Sequence, residues 1–508
     1  MSNCVLKKKS FRHTSTVFFN SSENHSKISL FRLDFKYKEC IIKMKEKLEV
    51  QPVKKHTVDM TKGNIFRLIV AFAIPIMVSG VLQTLYNAAD MVVVGRFAGP
   101  KSLAAVGSTG SAINLLIGIF SGLSSATNVI IARKFGAGNK SGVSKAVHTS
   151  IAVCLAGGVF LAIAGFFLSK HILLWMSSPE DVINLSTLYM KIYFMGVPAM
   201  LIYNFGSAIL RAVGDSKRPT YFLMLSGIVN VVLNLVFVIC FKMDVAGVAV
   251  ATVISQVVSA TLVVRCLLKT DDCYKLIIRK IKIYADELKE IIFLGIPAGI
   301  QGAVFSISNI IIQSSINACG SEVMAGNSAA ASVEGIVYIA MNSFFHATLT
   351  FVGQNYGAHD FKRIRKGFWT AFCTSAVFSL LLSITFSSFA EFFLQFYTEE
   401  PEVIEIGANR MHIVCAFYFL CGLLDVGTGA LRGMGVAVRS MLTCLIGACG
   451  IRLIMTIIGA PYSVAEDLKI LYISYPVSWI ITAVALILLF FSILRNREKQ
   501  WLIQKREI

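Results

Sequence analysis

The chain has 508 residues, of which 55% are hydrophobic and only 15% charged, and it carries a formal net charge of +19 at pH 7. Soluble domains average about 25% charged residues, so lipid rather than water is the expected solvent. The positive charge sits in clusters between apolar runs, which argues against a nucleic-acid partner, and the 12 cysteines are scattered without a CxxC pair for zinc or dithiol chemistry. Cysteines such as Cys154, Cys240 and Cys449 fall inside apolar runs and read as small core residues.

From the N-terminus, residues 1–60 are polar and Lys-rich, without the uninterrupted apolar stretch of a signal peptide. Three readings stand for them: a disordered cytoplasmic arm, a short amphipathic helix around Tyr37–Val50 lying on anionic lipid, or a start assigned too early, with Met44 or Met60 as the true start. Apolar runs follow at 66–94, 104–132, 147–169, 186–212, 219–241, 245–268, 290–316, 324–354, 368–390, 405–431, 438–460 and 468–494. Runs such as Tyr221–Phe241 and Ile470–Leu494 carry no charge and reach the roughly 20 residues a membrane-crossing helix needs. The alternating segments of a membrane barrel, about ten residues each, are absent. Residues 61–268 therefore form a first lobe of six spans and 290–494 a second. The connection 269–289 is basic and mixes charged with apolar residues as an interfacial helix would, and 495–508 is a tail.

One set of alternate loops holds Arg133, Lys134, Lys140, Lys145, Arg211, Lys217, Arg218, the Arg265–Lys289 segment, Lys362, Arg363, Arg365, Lys366, Arg432, Arg439 and the tail after Leu494. The other set holds few basic residues beyond Arg96, Lys101, Lys170, Lys242 and Lys469, and favours acids at Glu180, Asp181, Glu399, Glu400, Glu466 and Asp467. The positive-inside rule puts the basic loops and both termini in the cytoplasm.

The two lobes repeat one another. Ala73-Ile74-Pro75 resembles Gly295-Ile296-Pro297, and Gly80 and Gly302 follow at the same spacing, 222 residues apart. Phe135-Gly136-Ala137 matches Tyr356-Gly357-Ala358, and Gly206, Leu210-Arg211 and Gly214 match Gly427, Leu431-Arg432 and Gly435, 221 residues apart. An even number of spans per copy makes the repeats parallel, with a pseudo-twofold axis along the membrane normal. The expected fold is an all-α membrane protein of twelve helices in two pseudo-twofold-related six-helix lobes. Two such lobes enclose a central cavity, and rocking one against the other gives the alternating access of a secondary transporter.

An acid inside hydrocarbon costs about 2.5–3.5 kcal/mol on insertion scales, so each intramembrane ionisable group is a functional candidate. Asp90 shares one helical face with Gln83 and Asn87 at positions i, i+4 and i+7. It either bonds a neighbouring helix or forms a reversible proton or sodium site. Asn230 and Asn234 share a face of the fifth span, and Thr252, Ser255 and Gln256 lie on the sixth. These groups bond between helices, or surround a desolvated carboxylate that holds a proton or ligates sodium. In the second lobe Glu334, Tyr338 and Asn342 form a stripe with His346 one turn beyond, and Asp425 and Arg452 add opposite charges. A pair of Arg452 with Asp425 or with Glu334 would let both ions stay buried, either as a structural bridge or as a coupling device. Gly136-Ala137-Gly138-Asn139-Lys140 lacks the GxxxxGK[ST] pattern of a P-loop, and the histidines lack HExxH spacing, so neither ATP hydrolysis nor metalloprotease chemistry is supported. Pro75, Pro198, Pro297 and Pro476 read as kinks within spans.

Several motifs together resemble the bacterial branch of the multidrug and toxic compound extrusion (MATE) transporters over about residues 60–495. They are Ala73-Ile74-Pro75, Tyr86-Asn87-Ala88-Ala89-Asp90 with Val94-Gly95-Arg96, the segment Ile209–Pro219, Gly247-Val248-Ala249-Val250-Ala251-Thr252, and Ala329-Ala330-Ala331-Ser332-Val333-Glu334-Gly335. The resemblance implies a V-shaped pair of lobes in a bacterial plasma membrane, exporting amphipathic, often cationic, compounds in exchange for protons or sodium. It implies that Asp90 is the coupling carboxylate, with Asn230 and Thr252 matching family positions. Asn234 departs from the pattern, because the family often has an aspartate there. No acid of the second lobe in other branches aligns with Asp425, which stands on its own position alone. The expected protein is a monomer that needs no cofactor beyond its coupling ion, with small organic substrates and the bilayer as its partners. Two alternatives remain: a lipid-linked saccharide flippase, which needs a strongly cationic cavity where Arg452, Lys191 and Arg410 make a thin set, and an intramembrane enzyme, for which no nucleophile or metal constellation stands out.

Overall fold

A computed structural model describes residues 57–176, 179–317, 319–459 and 469–507. The three readings of the first 56 residues and the acids Glu466 and Asp467 lie outside the described residues. Among the described residues, twelve helices are long and apolar enough to cross a membrane. In chain order they are α1 (Ile65–Ala98), α2 (Pro100–Gly136), α3 (Lys140–Trp175), α4 (Ile183–Ala212), α5 (Lys217–Cys240), α6 (Asp244–Lys269), α7 (Ala285–Asn317), α8 (Ser321–Gly357), α9 (Phe361–Ser388), α10 (Pro401–Gly433), α11 (Ala437–Ile458) and α12 (Lys469–Glu507).

Every expected span is a helix, and most run several residues past the apolar run into the flanking polar sequence. The last does so furthest: α12 continues through the stretch read as a tail to Glu507. The 269–289 connection differs from expectation. It contains only a 3-10 turn at Ile278–Lys280 before α7 begins at Ala285. Its backbone is held by α3 instead, since the Ile277 N–H donates to His148 Nε2 at 3.1 Å and the Tyr284 N–H to Thr149 Oγ1 at 3.2 Å. Tyr274 and Leu276 are buried beneath it. Bonds to a neighbouring helix thus replace the bonds that a helix would have made internally.

The duplication is written into the backbone. Positive φ angles recur at Gly99 and Gly320, at Gly138 and His359, and at Gly214 and Gly435. Asn139 and Asp360 cap the helices that follow in the same way, accepting from the N–H three residues on. All four pairs are 221 residues apart.

The two lobes meet along α1 with α8, α2 with α7, and α2 with α8. At the end that carries the basic loops, α2 and α8 cross through Gly136 and Gly357, where a Cβ on either would overlap the backbone of the other helix at Gln354 and Arg133. Salt bridges flank the crossing, with Arg133 Nη1 2.9 Å from Glu290 Oε1 and Lys134 paired to Glu287. Gln354 Nε2 donates to the Ala212 carbonyl of the other lobe at 2.8 Å. The segment before α1 completes the seal. Met60, only 1% exposed, donates its N–H to Gln354 Oε1 at 2.8 Å, and its carbonyl accepts from Asn355 and Arg363. The Val58 N–H donates to the Val213 carbonyl at 3.1 Å, so residues 57–60, assigned to the tail by composition, bond to both lobes, with Met60 buried and Val58 and Asp59 exposed.

Because both crossing glycines are filled by backbone, Gly136→Val and Gly357→Val should each open this seal. Transport in vesicles is expected to fall to background at wild-type protein levels for either variant, and wild-type transport by either would show that the contact is dispensable.

Candidate functional site

Beyond the seal the lobes part. A cavity of about 890 Å³ opens between them, and Gly118, Gly302 and Gly335 on its wall would meet nothing within 4 Å if given a Cβ. A smaller space of about 380 Å³ adjoins it between α1, α4, α5 and α8.

The polar residues of the first lobe fall into two groups. Asp90 on α1 accepts from Asn234 Nδ2 on α5; the same amide lies 3.4 Å from Asn230 Oδ1, and Asn230 Nδ2 lies 3.4 Å from Thr252 Oγ1 on α6. Asn230 and Asn234 are buried and Asp90 is half-buried. Asn234 Oδ1 is buried with no hydrogen-bond partner among the described residues. Gln83 and Asn87 belong elsewhere. Both are exposed to the cavities, Gln83 to both and Asn87 to the smaller one. The stripe on α1 therefore faces two ways, its outer end toward α5 and its inner end toward the space between the lobes.

Two π-helical stretches adjoin this group, at Val94–Ala98 just beyond Asp90 and Val236–Cys240 just beyond Asn234. A third, Leu445–Ile451, ends directly before Arg452. Such bulges re-aim the side chains around them and gather at functional positions.

Glu334, Tyr338, Asn342, Asp425 and Arg452 all line the larger cavity. The expected pairing of Glu334 with Arg452 is wrong. Glu334 is held bidentately by Arg410 of α10, at 3.0 and 2.9 Å, and the remaining arm of Arg410 reaches Asn327 Oδ1 at 3.1 Å. Tyr472 of α12 donates to the same Asn327 oxygen at 3.0 Å. Both charges are about 5% exposed. The reason is helix placement: α10 packs along α8, whereas Arg452 on α11 is turned toward α7 and α12, near Asn309 and over the rings of Tyr475 and Trp479. Asp425 does not pair with Arg452 either. It faces Asn342 and Tyr338 on α8, with Arg432 of its own helix nearby, and its Oδ2 is buried without a hydrogen-bond partner among the described residues.

The family profile described as MatE matches residues 75–236 and again 297–458. The chain belongs to the MatE family. The two matches begin at Pro75 and Pro297, the landmarks of the internal repeat. Two Bacillus subtilis relatives bear the name probable multidrug resistance protein: YoeA, 28% identical over 85% of this chain and 94% of its own length, and YpnP, 27% identical over 76% and 87%. A solved outward-facing multidrug resistance MATE transporter of the MOP superfamily superposes with a TM-score of 0.82 at 23% identity, covering 87% of this chain and 99% of that one. That likeness speaks to the fold.

In this MATE chain the cavity is more basic than the sequence suggested. Arg211 and Arg432, counted with the loop charges, line it alongside Arg410 and Arg452. They occupy the same position in the two copies, and both lie within electrostatic reach of His346. The signal was available, since an arginine retained in both copies at the same turn of the same helix has more to do than mark a loop. Lys191 is not in the cavity wall and lies over the Phe166 ring. Among the described residues no cluster of three or more His, Cys, Asp or Glu is placed to hold a metal.

Proposed function

We propose that this MATE protein is a cation-coupled antiporter that exports amphipathic organic compounds by alternating access. Its central cavity carries the cargo, and Asp90 takes the proton or sodium. One observation carries the coupling reading: the Asp90 carboxylate lies against Asn234, whose own carbonyl oxygen is buried without a hydrogen-bond partner among the described residues. A proton or a sodium ion at Asp90 would give that oxygen the positive neighbour it lacks. Family membership and the relatives' names support the class of cargo.

The basic end, with both termini, is assigned to the cytoplasm of a bacterial plasma membrane, so the sealed state opens outward. Residues 61–268 and 290–494 act as the two rocking units of a monomer, with 269–289 as the connection. Because a ligand shifts an equilibrium only by its differential affinity, ion loading at Asp90 must favour one conformation of α1. Through Gln83 and Asn87 that helix also forms part of the cavity wall.

The test uses proteoliposomes loaded with amphipathic dyes of both charges, under separately imposed pH and sodium gradients. One gradient is expected to accelerate efflux; acceleration by neither would remove the antiport reading. The four cavity arginines also favour a flippase for a lipid-linked anionic saccharide more than the sequence did. Movement of water-soluble dyes in the same vesicles separates the two readings.

A further inference from the structure

The cavity is lined by four arginines and two carboxylates, and one carboxylate, Glu334, is fully engaged by Arg410. Three arginines therefore share one remaining acid, Asp425. The most fully enclosed of the three is Arg452, which is 4% exposed. Its guanidinium lies 4.4 Å from the ring centroid of Tyr475 and 5.8 Å from that of Trp479. Trp479 is fixed in turn by edge contacts to Tyr418 at 5.1 Å and Tyr475 at 5.7 Å. The polar contact of Arg452 is a long one, Nη1 to Asn309 Oδ1 at 3.5 Å, and its Nε is buried with no hydrogen-bond partner among the described residues.

A ring covers the face of a guanidinium, while the N–H donors lie in its plane and point outward at the edge. An unpaired cation is costly in a membrane interior unless something arrives to meet it. The group that meets a guanidinium edge best is a carboxylate or phosphate bound through two parallel hydrogen bonds. Tyr475, half-buried on the cavity wall, offers its ring to a flat aromatic group, while the buried Trp479 backs the site.

We propose that Arg452, Tyr475 and Trp479 form a binding subsite for a planar aromatic compound bearing a carboxylate or phosphate, so that the cargo is anionic at this end. The inference rests on the reading of the central cavity as the cargo site and names the class of cargo. Arg211 and Arg432 extend the positive potential along the same cavity, and a cationic compound would reach Asp425 only against three like charges.

The test is equilibrium binding to the purified full chain in detergent, with no gradient present, so a failure of ion coupling leaves it untouched. Fluorescein and rhodamine 6G share a xanthene ring but carry opposite charge, and fluorescence anisotropy reads each. Fluorescein is expected to bind roughly tenfold tighter or more, given the strength of charge-assisted pairs. Arg452→Gln should weaken fluorescein by roughly tenfold or more, with Arg452→Lys intermediate because it keeps the charge and loses the fork. Rhodamine 6G, relieved of a like charge, should bind Arg452→Gln more tightly. Tighter binding of rhodamine 6G to the wild type, binding of neither dye, or an unchanged fluorescein affinity in Arg452→Gln would overturn the proposal. If Arg452→Gln does not purify as a single species, displacement decides: 1-naphthoate should compete with fluorescein on the wild type, and failure to compete rejects the subsite.

Discussion

Asp90→Asn is expected to reduce gradient-driven efflux from proteoliposomes to the rate of protein-free vesicles while leaving the protein folded and able to bind cargo. The substitution keeps the shape and keeps an oxygen to accept the Asn234 amide, so the α1 to α5 contact survives. Asparagine neither takes up a proton nor offers a charged ligand to sodium, so the two conformations lose the differential interaction that the ion supplies. Moving a two-state equilibrium from 1:99 to 99:1 requires about 5.5 kcal/mol of differential binding, and a neutral amide provides none of it. Cargo binding in the absence of a gradient should persist, because Asp90 is not part of the cavity wall. Thermal stability should stay within about 1 kcal/mol of wild type, the net worth of a typical hydrogen bond. Efflux at the wild-type rate, under the gradient that drives the wild type, would remove Asp90 from the coupling step.

The architecture was open to sequence reasoning because lipid imposes one strong rule, that each crossing segment be a long apolar helix with its backbone bonds internal. The repeat was readable for a related reason. Pro75 with Pro297, and Gly136 with Gly357, sit where the backbone itself is constrained, by a kink or by a close crossing, and such positions tolerate little else. What could not be read was rotation. Hydropathy locates Arg211 and Arg432 one turn from a basic loop but does not say that they turn inward to the cavity. The partner of Glu334 depended on which of α10 and α11 lies along α8, and both offered an arginine at a comparable depth. The stripe of Gln83, Asn87 and Asp90 obeyed helical periodicity, yet it serves two neighbours, because α1 lies between its own lobe and α8. The connection 269–289 failed as a helix for a similar reason: its pairing with His148 and Thr149 is tertiary, and local pattern does not encode it.

Glu334→Gln is expected to give the opposite signature to Asp90→Asn, a loss of the folded protein rather than of coupling alone. Glu334 and Arg410 are each about 5% exposed and joined by two hydrogen bonds, while Asn327 and Tyr472 complete a clamp across α8, α10 and α12. Removing one charge leaves the Arg410 cation buried with only neutral acceptors. Breaking a buried pair in this way costs about 3–5 kcal/mol, most of it the penalty of the abandoned ion. The expected result is a marked drop in thermal stability and in recovery from membranes, with residual transport in proportion to the protein that remains. The double variant Glu334→Gln with Arg410→Met should regain much of the loss, since replacing both ions by neutral groups of similar volume is often nearly neutral in stability. If the single variant is as stable as wild type yet fails to transport, the pair moves during the cycle and belongs with Asp90 in the coupling machinery. If the double variant is no better than the single, the loss lies in the packing of α8 against α10 rather than in an unpaired charge.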